Sequence, residues 1–395
     1  MGEGFGSRAV GLYYCLGFRI LFFLMSTTED SFFEEKRAWS KIKDDILAKY
    51  LRPYLQAVTK LDPPVIIVDG YAGPGTFGEE HIDGSPLIIS KAIEKFGGNK
   101  TQGIFVNREL DDHQSLCQAI RPYSDAGMVR AHRSDAHDFL QQFVRGLSNE
   151  TVLYYLDPFG MKGLDMELIR ALLNRPPSIS TELLVNLYVP QLHRYGIEEN
   201  DGNPEFQWRH ELLSSVFGGT YWKAILWNGL LLNEAKEDAI IEEYKRRLRQ
   251  LSRYVVSCSV REREDKVRKF ELMHCSRSPL ALELMNDIMA GAYNDYMHSV
   301  VLQDLPLFAA TMRSWRDSRQ DERSSIKEVI LEVTRLRPGI PKQTLWRKIV
   351  EDHFKQFLSS DFNQALLELL DSNLIRSPDL KHSKGISKTC RLYLT

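Results

Sequence analysis

Four consecutive apolar residues, Val65-Ile66-Ile67-Val68, run directly into Asp69-Gly70-Tyr71-Ala72-Gly73-Pro74-Gly75. A short run with no polar alternation suits a strand buried on both faces, as in a parallel sheet covered by helices. The pattern recurs down the chain. Strands are expected at 103–106, 128–131, 152–156 and 183–187, with helices at 85–96, 110–120, 136–146 and 165–173 between them. Alternating strands and helices of this length predict a doubly wound, mostly parallel, Rossmann-like α/β sheet.

The flanking segments extend this plan. Residues 31–60 carry Trp39, Ile42, Ile46, Leu47, Tyr50, Leu51 and Tyr54 at helical spacing and stop at Pro63-Pro64. Residues 190–250 are polar, rich in tryptophan and helical, and read as an insertion. Two further strands are expected over 254–260 and 268–273, joined by a charged turn at 261–266, with a helix from Pro279 to Met289 closing the domain. Residues 313–323 are charged and poor in apolar side chains, which places a linker there. Three short helices (326–336, 342–353, 361–372) and a terminal β-like segment then predict a winged-helix domain over 325–395. The α/β domain is assigned to 25–312.

At 395 residues, two domains are the natural expectation. The formal net charge of −2 excludes a whole-chain basic field, so nucleic acid would have to bind at a local patch. Cys15, Cys117, Cys258, Cys275 and Cys390 show no CxxC pair, so buried thiols in a reducing, cytoplasmic setting are expected rather than a zinc or disulfide framework; no metal site is assigned. The apolar stretch Val10–Met25 contains Arg19 and is short for a membrane span. Composition changes abruptly after it, so Met25 is read as the initiator and residues 1–24 as an upstream extension. No membrane association is assigned, an N-terminal anchor being the alternative.

The candidate site lies on the loops that follow the strands, where open α/β sheets bind ligands. Gly73 and Gly75 allow a sharp turn and close backbone approach, with Gly70 and Ala72 completing the loop. Asp69 is a hydrogen-bond acceptor for a ligand amino group or for its own loop. The loop lacks Gly-Lys-Ser/Thr, which excludes a P-loop, and lacks GxGxxG, which disfavours a nicotinamide dinucleotide enzyme. Asn107 stands where a ribose-binding acid is wanted at the end of the second strand, and Glu109 follows two residues later. Asp135 suits either an adenine amino contact or a helix N-cap, or both. Asp157-Pro158-Phe159-Gly160, after the fourth strand, is the candidate catalytic loop. A carboxylate and a proline-fixed carbonyl accept from a planar amine, and Phe159 can stack on a base. Thr181, Glu182, Asn186 and Arg194 are weaker candidates, and Asn186 needs a hydrogen-bond partner. His113, His132, His137, His193 and His274 show no metal-ligand spacing. Arg335, Arg337, Lys342, Arg347 and Lys348, with Lys381, His382, Lys384, Lys388 and Arg391, could form a basic docking surface.

The ordered set KIKDDILAKYLRPYL, DGYAGPG, GSP, YLDPFG, TELLVN and FELMHCSRSPLALELM resembles the three-Cys-motif partner protein family, from about residue 33 to the end. The resemblance implies a class I methyltransferase type of fold with a C-terminal winged helix. It also implies S-adenosylmethionine as cofactor and a partner bearing a three-cysteine motif. By similarity Asp69, Gly73 and Gly75 match the cofactor loop and 157–160 the DPFG loop. Asn107 departs from the family pattern, which has an acid. The function expected is methyl transfer to an amino group of nucleic acid or a nucleotide-like substrate; the alternative is a non-catalytic adaptor that docks nucleic acid or the three-Cys partner.

Overall fold

A computed structural model describes residues 38–78, 81–198, 204–261, 268–303, 325–379 and 386–395. The readings made for residues 1–24, for the linker at 313–323, for the charged turn between the last two sheet strands and for Lys381, His382 and Lys384 fall outside these residues.

The chain opens with helix α1 (Ala38–Val58), which continues through Pro53. Strand β1 (Val65–Asp69) follows, then a small antiparallel hairpin of β2 (Thr76–Phe77) and β3 (Ile82–Asp83). Helix α2 (Ser85–Phe96), β4 (Thr101–Asn107), α3 (Leu110–Ala119), α4 (Arg121–Asp125), β5 (Val129–Arg133) and α5 (Ala136–Gly146) continue the alternation. Next come β6 (Thr151–Leu156), α6 (Met166–Leu173) and β7 (Thr181–Leu187). The insertion is helical as expected: α7 (Pro190–Tyr195), α8 (Pro204–Phe217), α9 (Tyr221–Leu226) and α10 (Asn233–Leu248). Strands β8 (Tyr254–Arg261) and β9 (Arg268–Ser276) lead to α11 (Pro279–Gln303), which runs well past the expected end at Met289.

The seven-stranded sheet has the order β5-β4-β1-β6-β7-β9-β8. Strands β5, β4, β1, β6 and β7 are mutually parallel, whereas β9 is antiparallel to both β7 and β8. This is a doubly wound, mostly parallel sheet with one antiparallel strand, β9. The period-two alternation of a strand divides its side chains between two cores. On one face Val68, Tyr154, Val185 and Leu187 pack against α5 and α6 residues such as Leu140, Leu168 and Leu172. On the other, Ile67, Phe105, Tyr155 and Leu184 meet Ile46, Leu47, Tyr50 and Leu51 of α1.

Helix α2 spans the expected residues; Gly84 is its cap, and the hydroxyl of its first residue, Ser85, is spent on Asp69. The hairpin β2–β3 had no legible signal, being two residues per strand.

After the α/β sheet come α12 (325–336), β10 (Ile340–Pro341), α13 (Lys342–Asp352), α14 (Ser359–Asp371), β11 (Ile375–Arg376) and β12 (Arg391–Leu394). The last strand pairs antiparallel with both β10 and β11. Ile330, Leu345, Ile349, Leu366 and Leu392 form the core of this unit, joined by Tyr254 and Leu282 of the preceding domain. Polar contacts seat it on α11. Asn286 donates to the Phe357 carbonyl at 2.8 Å, Asp287 accepts from the Ser359 amide at 3.0 Å, and Arg347 pairs with Glu283 at 3.1 Å.

Candidate functional site

The strand order reverses direction at β1, whose neighbours are β4 on one side and β6 on the other. In an open α/β sheet the ligand crevice lies at the carboxyl ends of the strands at such a switch point. Asp69 ends β1, and Asp157 follows β6. Asp69 is fully buried, and both its oxygens are used inside the fold. One accepts from the Tyr71 amide at 3.2 Å and the other from the Ser85 hydroxyl at 2.6 Å. Burial pushes its carboxyl up from 3.8 to about 7; the two hydrogen bonds oppose this, and the nearby Asp157 charge adds to it. Of the two roles open to Asp69 in the sequence, the structure places it in its own loop.

The glycine loop is fixed by close packing. A Cβ at Gly70 would lie 2.7 Å from Leu156, and one at Gly73 would lie 3.2 Å from the Phe77 ring. Gly75 has φ of +99°, and a Cβ there would sit 2.6 Å from that of Ala119 on α3. The Gly75 carbonyl accepts from the Gly84 amide at 2.7 Å, so the loop folds back over the hairpin before α2 begins. Residues 76–84 thus separate the loop from a helix N-terminus. A dinucleotide-binding turn instead leads straight into a helix that faces the pyrophosphate.

At the end of β4, Asn107 is also turned inward. Its amide nitrogen donates to the Ala72 carbonyl at 2.6 Å, and its oxygen accepts from the Glu109 amide at 2.8 Å. A carboxylate could not make the first of these bonds, which is a structural reason for asparagine here. Glu109 is exposed and pairs with Arg108 at 2.9 Å. Asp135 caps α5, accepting from the His137 amide at 2.9 Å and the Asp138 amide at 3.4 Å. Its other oxygen lies 3.9 Å from Arg108, so Arg108 spans the ends of β4 and β5.

The loop after β6 is latched at several points. Asp157 accepts from Asn186 of β7 at 2.7 Å, from Lys43 of α1 at 2.5 Å and from the Tyr155 hydroxyl at 3.3 Å. Pro158 is buried, whereas Phe159 is 82% exposed at the loop tip. Gly160 has φ of +102° and packs against Gln191, whose oxygen accepts from the Met161 amide at 2.5 Å. The Tyr71 hydroxyl reaches the Gly163 carbonyl at 2.8 Å, and Asp165 pairs with His137 at 2.9 Å. The structure therefore brings Asp69, the glycine loop, Asn107, Glu109, Asp135 and 157–160 to one edge of the sheet.

Sequence reading missed Lys43, 114 residues from Asp157 and buried in the lysine-rich α1. Its charge also lies over the Phe270 ring, 5.5 Å from the centroid. The periodicity of α1 gave no sign that this lysine points inward. Also unforeseen is a buried cluster near the opposite end of β7. There Glu182 accepts from Tyr50, from Ser276 at 3.2 Å, and pairs with His274 at 3.0 Å. His193 pairs with Glu237 at 2.7 Å. Arg194 lies over the Tyr195 ring. In the C-terminal unit Arg347 and Lys348 pair with Glu283 and Asp352, and Lys342 donates to the Ile386 carbonyl.

No family model and no curated protein matches the chain. Solved structures do align with it. The O-methyltransferase TomG from Streptomyces achromogenes in complex with SAM is 14% identical over 64% of this chain and 95% of its own, with a TM-score of 0.33. Pyrococcus horikoshii TYW2 in complex with MeSAdo is 13% identical over 63% of this chain and 66% of its own, with a TM-score of 0.29. At these values the likeness carries no argument about substrate or mechanism. Among the described residues no helix is long and apolar enough to cross a membrane.

Proposed function

We propose that the chain is an S-adenosylmethionine-dependent methyltransferase acting on an exocyclic amino group of nucleic acid or a nucleotide-like substrate. The observation that carries this reading is the Asp157 carboxylate, fixed by three donors at the switch point of the sheet. The residues present suit this cofactor. It bears positive charge on its sulfonium and its amine, and Asp157, Glu109 and Asp135 gather carboxylates at the strand ends. The same carboxylates, and the absence of a helix N-terminus at the loop, oppose a pyrophosphate. The backbone of 70–75 would hold the cofactor's amino-acid end, and Glu109 and Asp135 its ribose and adenine. When bound, the cofactor supplies an electrophilic methyl group. The chain's own task is positioning: Asp157 and the Pro158 carbonyl accept from the acceptor amine and aim its lone pair, and Phe159 stacks on the ring that bears it.

Cofactor binding and transfer are tested separately. Calorimetry should detect S-adenosylhomocysteine binding to the wild type. Labelled methyl transfer into cellular nucleic acid should fall about 100-fold or more in Asp157→Ala, the scale of a lost positioning contact. Absence of S-adenosylhomocysteine binding refutes the reading.

A second reading is favoured by Asn107, whose side chain is spent within the fold and leaves the ribose without an acid at that position. The chain would then be a non-catalytic adaptor that docks a three-Cys-motif partner or nucleic acid through its C-terminal unit, read as a winged helix. Binding of S-adenosylhomocysteine without transfer to any nucleic acid or protein fraction, partner present, would support it.

A further inference from the structure

Lys43 and Asp157 form a donor and acceptor side by side in the acceptor site. We infer that this pair reads an amidine edge, the amino group and adjacent ring nitrogen presented by adenine or cytosine. The inference rests on the amino-methyltransferase reading above and deepens it to a class of substrate.

An ammonium carries three N–H bonds. Among the described residues Lys43 makes one hydrogen bond, to Asp157 at 2.5 Å, leaving it donors to give. A carboxylate has about four lone-pair sites, and Asp157 fills three of them with Lys43, Asn186 and Tyr155. One acceptor position, on Oδ1, and at least one donor, on Lys43, therefore remain; Lys43 itself meets Oδ2 of the same carboxylate. Few substrate edges match such a pair. The amino group and ring nitrogen of an amidine are joined through one carbon, the first a donor and the second an acceptor. Guanine offers two donors, N1 and N2, on its Watson–Crick edge and pairs its amine with an acceptor only at N3 on the sugar side, and uracil has no exocyclic amine.

Asn186 supports the same polarity. Its nitrogen is fixed toward Asp157, because the opposite amide orientation would set oxygen against carboxylate. Its own oxygen is buried with no hydrogen-bond partner. Buried, that oxygen is out of a substrate's reach, so Asn186 holds the Asp157 carboxylate as the acceptor and Lys43 is the cationic donor. A carboxamide side chain has the same donor and acceptor pattern. A base is favoured because Phe159, on the same loop, presents an aromatic ring that is 82% exposed.

The test is binding, independent of turnover. Short single-stranded oligonucleotides carrying one adenine, 1-deazaadenine or 7-deazaadenine in a uracil background are titrated against wild type and Lys43→Met. 1-Deazaadenine keeps the amine but replaces the ring acceptor with C–H; 7-deazaadenine alters only the far edge. Wild type should bind adenine and 7-deazaadenine alike and 1-deazaadenine about tenfold or more weaker, the scale of a lost charge-assisted hydrogen bond. Lys43→Met, which has no donor, should bind all three within about twofold of one another by the same reasoning. Equal wild-type affinity for adenine and 1-deazaadenine overturns the inference and leaves the methyltransferase reading standing. Should the wild type bind S-adenosylhomocysteine but no oligonucleotide, and transfer methyl groups to protein amides, the base is wrong and the inference falls. Absence of both cofactor and oligonucleotide binding overturns the reading and the inference together. Circular dichroism of Lys43→Met establishes that the variant is folded.

Discussion

The Asn107 side chain closes on the Ala72 carbonyl at 2.6 Å, tying the end of β4 to the glycine loop. The residue that departs from the expected acid is therefore a brace. Asn107→Asp would set a carboxylate oxygen against a carbonyl oxygen. It should lose about 1–3 kcal/mol of stability, the cost of an unmade buried hydrogen bond. Thermal or urea unfolding measures this. A variant as stable as wild type that bound S-adenosylhomocysteine more tightly would show that the position serves the ribose instead.

The Lys43–Asp157 pair predicts a compensating double variant. Lys43→Met leaves a part-buried carboxylate without its counter-charge, at a cost of roughly 3 kcal/mol. Asp157→Asn in the same chain removes that charge and should recover most of the loss. The readout is the coupling energy of the four-protein cycle; a value near zero would mean the contact contributes nothing in solution.

Gly75 combines a left-handed backbone with a tight neighbour. Gly75→Ala should destabilise by about 1–3 kcal/mol through strain at positive φ. Ala119→Gly, added to it, should restore part of this by removing the Cβ that lies 2.6 Å away. Full rescue would assign the whole cost to the steric contact, and no rescue would assign it to the backbone.

Asp69 predicts a pH signature. Burial raises its carboxyl in the folded state to about 7, above the ordinary carboxylate value of 3.8. The folded state therefore binds its proton more tightly, and stability contributed by the protonated form declines as pH rises from about 4 to about 7. The slope approaches about 1.4 kcal/mol per pH unit within this window for this one group. Asp69→Asn stays neutral, so the wild type should lose ground to it across that window and not above. Parallel stability curves from pH 4 to 8 would count against the burial of an ionisable group here.

The sheet was legible because its strands are nearly continuous apolar runs bounded by turn residues, and each run reports locally on its own burial. Val65–Val68 and Leu183–Leu187 are of this kind. The Asp157 loop was legible for a related reason, since its place at a strand end follows from the strand. Lys43 was not, because an inward lysine in a lysine-rich helix differs from its neighbours only through a partner 114 residues away. Glu182 was ranked low for the same reason: its partners Tyr50 and His274 come from other elements. The hairpin at Thr76–Phe77 and Ile82–Asp83 has too few residues for any period to show.

Helix α1 both covers one face of the sheet and carries Lys43 to Asp157. It leaves the ribosome before every strand it touches. The acceptor site is therefore a closure of long chain separation, assembled after β6 and β7 have been made and the helix has docked. Partial opening that lifts α1 away would erase the site while the parallel strands keep their register. Loss of ligand binding on mild denaturation should consequently precede loss of strand structure.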